Sequence, residues 1–272
     1  MSATDTAAPG LLLHLAGPLQ SWGTRSHYNE RDTATHPTRS GIIGLLAACL
    51  GRKRGESTED LARLSLTTRT DRPGVLLRDL HTVGGGMPPK ATVTTAEGKK
   101  RPPDKGTLLS YRSYLADAAF TACLTGDHDT LRTCEQALSS PHWPPYLGRR
   151  SCPPEGPLLI GLLPDPLRHL VQLPLARKNS PRDVHIPFHS DAPLHHLAAA
   201  RQEGEQQDDE LEGATPVSDI NDDPHSDRTY RARALYHRTL THPASQCAGM
   251  GTAYLNALTT YLDALPDQGA AR

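Results

Sequence analysis

The residues best suited to chemistry fall in a few short stretches. Pro37-Thr38-Arg39-Ser40-Gly41 opens a run of helix-forming residues. Free backbone N–H groups at a helix start favour an anion. Gly41 permits close approach of a phosphate, and Arg39 adds a fork of donors. The plainer alternative is that Thr38 or Ser40 caps the helix while Gly41 and Gly44 allow tight packing. Gln20 and Trp22 follow a short apolar run; a base can stack on Trp22 and be read by Gln20, or Trp22 plugs a corner of the core. Arg149 and Arg150, between Gly148 and Ser151, suit a clamp on RNA or on a neighbouring protein, with an ion pair to Asp117 or Asp127 as the alternative. Residues 84–108 carry Lys90, Lys99, Lys100, Arg101 and Lys105 against Glu97 and Asp104. Such a basic excursion can track a phosphate backbone and gain affinity from released counterions.

Two further groups invite a catalytic or metal reading. His81 fits a general base for metal-free RNA cleavage, assisted by His27, Tyr28, His36 or Lys90; the reading favoured here is a base-contacting or packing histidine at the root of the basic excursion. His185, His189, Asp191, His195 and His196 crowd one tract. Pro187 and Pro193 interrupt any regular ligand spacing, so a solvated linker is favoured over a metal site, and no cofactor is expected.

These residues need a scaffold. Leu11–Ala16 reads as a buried strand ending at the Gly17-Pro18 turn, and Ser40–Leu50 as a helix ended by Gly51. A short helix through Leu64 follows a capping signal at Ser57. Leu66–Arg69 and Val75–Val83 read as strands flanking the Arg72-Pro73-Gly74 turn. Tyr114–Leu124 alternates with period two and reads as one strand, Thr130–Leu138 as a helix, and Pro157–Leu163 as a strand. With the short helix and Leu66–Arg69 set aside as extras, the order is strand, helix, strand, strand, helix, strand. That is an α+β, ferredoxin-like (RRM-like) βαββαβ domain over residues 10–163, interrupted by the long basic excursion at 84–108. Both helices would then cover one face of the sheet and leave the other free, as in RNA-recognition modules. Residues 164–227 read as an irregular, acidic linker or loop region, and 228–272 as a C-terminal strand near Tyr230–Leu240 and a helix over Ala253–Leu265.

The charge balance supports this division. The chain of 272 residues has a formal charge of −1, which argues superficially against a nucleic-acid binder. Residues 191–227 alone hold 1 basic and 11 acidic side chains, whereas residues 1–150 hold 19 basic and 14 acidic ones. The body is basic and one segment masks it. Five scattered cysteines without a Cys-x-x-Cys pair fit a reduced, cytoplasmic protein rather than a disulfide framework or zinc finger. The apolar run Leu11–Leu15 is too short to span a bilayer, and no basic region precedes it as in a signal peptide.

Five blocks carry a resemblance. Leu12-Leu13-His14-Leu15-Ala16-Gly17-Pro18-Leu19-Gln20-Ser21-Trp22-Gly23 resembles the opening signature of the CasD family of CRISPR-associated proteins, within the repeat-associated (RAMP) superfamily. Pro37–Leu46, Asp79–Val83, Tyr114–Thr121 and Tyr146–Pro153 agree in order, spanning residues 12–153; after 163 the resemblance thins to an Arg-rich strand near 228–240. The resemblance implies a non-catalytic subunit of the type I-E Cascade surveillance complex. Such a subunit binds the 5′ handle of the CRISPR RNA and caps the backbone filament. Its partners would be the CRISPR RNA, the backbone subunit and the large subunit, with target DNA met through the assembled complex, and no membrane. The family's protruding thumb would correspond to residues 84–108. The alternative is a metal-independent endoribonuclease that processes the precursor RNA, with His81 as its base.

Overall fold

Every residue of strand β1 (Gly10–Ala16) is buried, so both of its faces must be covered. A computed structural model of the chain describes residues 8–24, 29–95, 97–195, 197, 213–220 and 230–265 and shows how this is done. The fold is mixed α+β with antiparallel sheets. On one side Leu11, Leu13 and Leu15 of β1 and Phe120, Ala122 and Leu124 of β7 (Ala119–Thr125) pack under helices α1 (Arg39–Cys49) and α2 (His128–Ser139). On the other side Leu12 and Ala16 of β1 and Ala119 and Cys123 of β7 meet a second core. Helix α3 (Pro166–Gln172) supplies Leu170 and Val171 to it, and helix α4 (Thr252–Asp263) supplies Tyr254 and Leu258. The period-two alternation of a strand sends its side chains to both layers in turn.

The large sheet runs β10 (Gly213–Ile220), β11 (Tyr230–His242), β9 (Val184–Ser190), β4 (Ser65–Arg72), β7, β1, β8 (Leu159–Leu163). Within it β1, α1, β4, β7, α2 and β8 follow the expected β-α-β-β-α-β order. A smaller sheet contains β2 (Leu19–Gln20), β3 (Glu30–Arg31), β5 (Val75–Val83) and β6 (Leu108–Ala116), and β5 and β6 pair in register from Val75–Ala116 to Val83–Leu108.

Several expectations need correction. The segment set aside as an extra, around Leu66–Arg69, is the strand β4 that the large sheet uses, and Val75–Val83 lies in the other sheet. Tyr114–Leu124 is two strands in two sheets, because the chain turns at Asp117 with a φ of +56°. Aspartate tolerates this left-handed conformation better than most residues, and the alternation runs through the bend without a visible break. Arg72 holds the bend, its Nη2 donating to Asp117 Oδ1 at 2.9 Å. The opposite chain crosses between sheets at Gly74, φ +73°, where a Cβ would come within 2.7 Å of the Ala116 carbonyl oxygen. Residues 164–227, read as irregular, contain α3, β9 and β10. Above all, the sheet face expected to be free is closed by α3, α4 and the segment between α3 and β9.

One buried ion pair fastens that closing layer. Arg69 on β4 and Asp71, both fully buried, pair at 2.6 Å. The Arg69 guanidinium also donates to the carbonyls of Leu170 (2.7 Å), Leu173 (2.8 Å) and Pro174 (2.8 Å). Asp71 accepts from the Ala176 N–H at 3.1 Å and from the Thr121 hydroxyl at 3.1 Å. Arg69→Met strands a buried carboxylate and three carbonyls together. The expected loss is about 3–5 kcal/mol, the usual cost of breaking a buried pair, measured as a lower urea midpoint. An unchanged midpoint would mean that residues 170–176 are held by apolar contacts alone.

Candidate nucleic-acid interface

The sequence-predicted residues divide into those that the fold consumes and those it leaves in solvent. Gln20 and Trp22 belong to the first group. Trp22 is fully buried, and its Nε1 donates to Gln20 Oε1 at 3.0 Å. The Gln20 amide nitrogen donates to the carbonyls of Leu15 (3.0 Å) and Ala118 (2.9 Å). The pair locks the corner where β1, β2 and the β6–β7 bend meet. Of the two readings of Trp22, the plug at a corner of the core is the one the structure shows, and the stacked base is corrected: neither face of the indole reaches solvent.

The start of α1 is also occupied. Thr38 caps the helix by accepting from the Gly41 N–H, and a Cβ on Gly41 would lie 2.7 Å from the Trp22 ring. Gly41 is therefore required by packing, and its N–H is taken by the Thr38 hydroxyl. Ser40 is half-buried beside a surface groove. Arg39 bonds Asp191 and the Ala62 carbonyl. Asp191 also accepts from Arg233 on β11 at 2.7 Å and from the Leu66 N–H at 3.1 Å. It joins α1 to β4 and β11, a role invisible in sequence because Arg39 and Asp191 lie 152 positions apart.

Arg149 is a structural clamp. Its guanidinium donates to the carbonyls of Ser113 (3.1 Å), Arg31 (2.9 Å) and Asp32 (3.1 Å) and lies 4.8 Å above the Tyr114 ring. Neither expected carboxylate is its partner: Asp117 pairs with Arg72, and Asp127 caps α2. Arg150 is exposed.

The thumb is more ordered than a mobile loop. Residues 84–107 join β5 to β6 through short 3-10 turns at Pro89–Ala91 and Pro103–Lys105. Lys100 Nζ donates to the Thr92 carbonyl and the Thr94 hydroxyl, both at 3.0 Å, and Thr92 Oγ1 donates to the Arg101 carbonyl at 2.9 Å. Lys100 thus holds the tip together, and Arg101 is half-buried, while Lys90, Lys99 and Lys105 point to solvent. Below the tip the hairpin exposes apolar residues on both faces of β5, Val75 (70%) and Leu77 on one and Leu76 (66%) and Leu80 on the other.

His81 lies on β5, partly exposed, with its Nε2 against Asp79 Oδ2. His27 and Tyr28 lie outside the described residues. His36 does not join His81: its ring stacks on His189 at 4.0 Å. The histidine tract disperses, since His185 meets Thr241 at 3.3 Å and Asp191 serves two arginines; His196 and the acidic run 203–212 lie outside the described residues. Among the described residues no group of three or more His, Cys, Asp or Glu side chains is placed to hold a metal ion, and no helix is long and apolar enough to cross a membrane.

With this geometry in hand, the similarities are specific. A solved chain described as "CRISPR RNA-guided surveillance complex" matches with a TM-score of 0.77 and 39% identity, over 93% of this chain and 99% of that one. A second, "Crystal structure of Cas protein", matches with a TM-score of 0.57 and 32% identity, over 89% and 99%. The architecture is Cas5-like. The family model "CRISPR-associated protein (Cas_Cas5)" matches residues 10–236, and the chain belongs to that family. The CRISPR system Cascade subunit CasD of Escherichia coli (strain K12) is 40% identical over 166 residues, 56% of this chain and 70% of that protein. The family match runs well beyond the last sequence block at 153, through β9 and into β11.

The stacked histidines make a pH prediction. Burial lowers the pKa of His36 to about 4, reinforced by Arg233, and lowers that of His189 to about 3, reinforced by His36 and His237. An unfolded histidine titrates near 6.5, so both rings favour the native state when neutral. Their contribution is complete above pH about 6.5 and is lost as pH falls toward 4. The urea midpoint is expected to fall over that window, and His36→Gln/His189→Gln to fall less steeply. Parallel curves would assign the acid sensitivity to other groups.

Proposed function

We propose that this protein is the subunit of a type I-E Cascade surveillance complex that holds the 5′ handle of the CRISPR RNA and caps one end of the backbone filament, without cutting RNA itself. The observation that carries this reading is the basic tip. Lys90, Lys99 and Lys105 face solvent at the end of a hairpin, in a chain that matches a member of an RNA-guided surveillance complex over 93% of its length. The body is the ferredoxin-like RAMP domain, a reading supported by the spatial order β8-β1-β7-β4 with α1 and α2 on one face. The RNA lies along the tip and the neighbouring body. The two exposed faces of β5, Val75 with Leu77 and Leu76 with Leu80, are the surfaces for the backbone and large subunits, since exposed apolar area of this kind marks protein contacts. Target DNA is met through the assembled complex.

The endoribonuclease reading survives on one observation, the partly exposed His81–Asp79 pair, and two experiments separate the readings. Labelled handle RNA is titrated by fluorescence anisotropy against the full chain and against Lys90→Ala/Lys99→Ala/Lys105→Ala. The variant is expected to bind more weakly and to flatten the log–log salt slope by about 2, at about 0.7 per lost phosphate contact on a single strand. An identical slope overturns the role of the tip. Repeat RNA incubated with the protein in chelator is expected to stay intact; specific cleavage that disappears in His81→Ala overturns the non-catalytic reading.

A further inference from the structure

A groove with a cavity volume of about 870 Å³ runs along α1, away from the thumb's own residues. Ser40, Gly44, Ala47 and Ala48 form its floor. These small residues let a flat ligand approach the helix closely, and a Cβ added at Gly44 would meet nothing within 4 Å. One wall is the loop after α1, with Lys53 and Arg54 exposed. The other is the segment before β8, with Trp143, Tyr146 and Arg150.

Both walls are fixed. The His142 N–H donates to the Cys49 carbonyl at 2.8 Å, tying the second wall to the end of α1. The His142 ring lies edge-on to Trp143 at 5.1 Å. Gly148 sits so close to Ser21 that a Cβ there would fall 1.7 Å from its carbonyl oxygen. On the first wall Arg52 is spent on Asp60 and on the Ser57 carbonyl. Lys53, Arg54 and Arg150, by contrast, make no ion pair among the described residues, and Glu56 is the one carboxylate lining the groove.

An exposed indole, a second aromatic and three unpaired cations around a floor of small residues match what a single strand of nucleic acid offers: flat bases and regularly spaced phosphates. The positive lining disfavours an acceptor-poor or basic peptide and gains from a polyanion. We propose that this groove is a second single-stranded RNA subsite, with a base stacked on Trp143 and its phosphates held by Lys53, Arg54 and Arg150. It rests on the RNA-binding reading above and extends it to a surface that residues 84–108 do not form.

The chain carries its own reporter. Of its two tryptophans, Trp22 is fully buried and Trp143 is 38% exposed. The full-length protein is titrated with a short unlabelled single-stranded RNA while tryptophan emission is followed, and with the same RNA labelled while anisotropy is followed. The expected result is quenching of the Trp143 emission that parallels the anisotropy rise and persists in the Lys90→Ala/Lys99→Ala/Lys105→Ala variant. Trp143→Ala is expected to weaken binding about tenfold, within the range for one lost base–aromatic stack. Gly44→Leu fills the groove and favours the helix, so its expected loss of quenching cannot be blamed on unfolding. If anisotropy rises while Trp143 emission and Gly44→Leu binding are unchanged, the subsite is overturned, the groove is left to a protein segment, and the handle reading stands. If anisotropy does not rise at all, both readings fall.

Discussion

The far side of the large sheet hangs on one buried guanidinium. Arg69 reaches through β4 to three carbonyls of the chain between Leu170 and Pro174, and Asp71 supplies both its counter-charge and an acceptor for Ala176. Desolvating two charges is costly, and the cost is met only when nearly every donor and acceptor finds a partner. Here the partners come from β4, β7, α3 and the segment after α3, so the pair forms only when all four are in place. Its surroundings tolerate no further charge: burial lowers the pKa of neighbouring His14 to about 4 and raises that of Tyr254. The consequence for function is geometric. The sheet face expected to be open to RNA is filled with Leu170, Leu173, Tyr254 and Leu258. On the proposed RNA-binding reading, recognition falls to what projects from the sheet and to what lies on the helical side.

The projection depends on two sharp bends. At Gly74 and Asp117 both strands of a hairpin leave the large sheet and continue as β5 and β6. Arg72 spans the gap, bonding Asp117 and the Ala176 carbonyl, so the root of the hairpin is tied to the same segment that Arg69 secures. A rigid root lets β5 expose Val75, Leu76, Leu77 and Leu80 without collapsing onto the body. Apolar area left exposed in this way is costly in water.

How much of this was legible depended on whether the signal was local. Helix α1 was readable because Thr38, the apolar spacing and Gly51 all sit within a few residues of it. The buried run of β1 and the helical pattern of α4 were equally local. Period two in Tyr114–Leu124 was real but silent about which sheet each half joins, since alternation is indifferent to a bend at Asp117. Leu66–Arg69 was set aside as an extra, and nothing local marks its polar residues Thr67, Thr68 and Arg69 as buried; the partners Ser190, Thr121 and Leu170 are far away in sequence. Gln20 and Trp22 were recognised as special, and they are, but for each other rather than for a base. Trp143 carried no local signal at all, because its significance lies in the cations that α1 and its loop bring alongside.

The cations themselves sort by chemistry. Arg39, Arg69, Arg72, Arg149 and Arg233 each bond carboxylates or carbonyls contributed by distant elements. Those are tasks for a planar fork with several fixed donors and a charge that does not titrate away. Lys53, Lys90, Lys99 and Lys105 stay exposed on the loop after α1 and on the hairpin tip, as suits a strongly hydrated point charge on a flexible stem. The excess of basic residues in the first 150 therefore overstates the positive surface: much of it is internal scaffolding. Among the described residues Lys90, Lys99 and Lys105 reach solvent at the tip and Lys53, Arg54 and Arg150 at the groove; Lys100 braces the first and Arg52 the second. A formal charge near zero is compatible with strong local binding for that reason, since a polyanion responds to cations within about a Debye length, roughly 8–10 Å at physiological salt, and not to the sum over the chain.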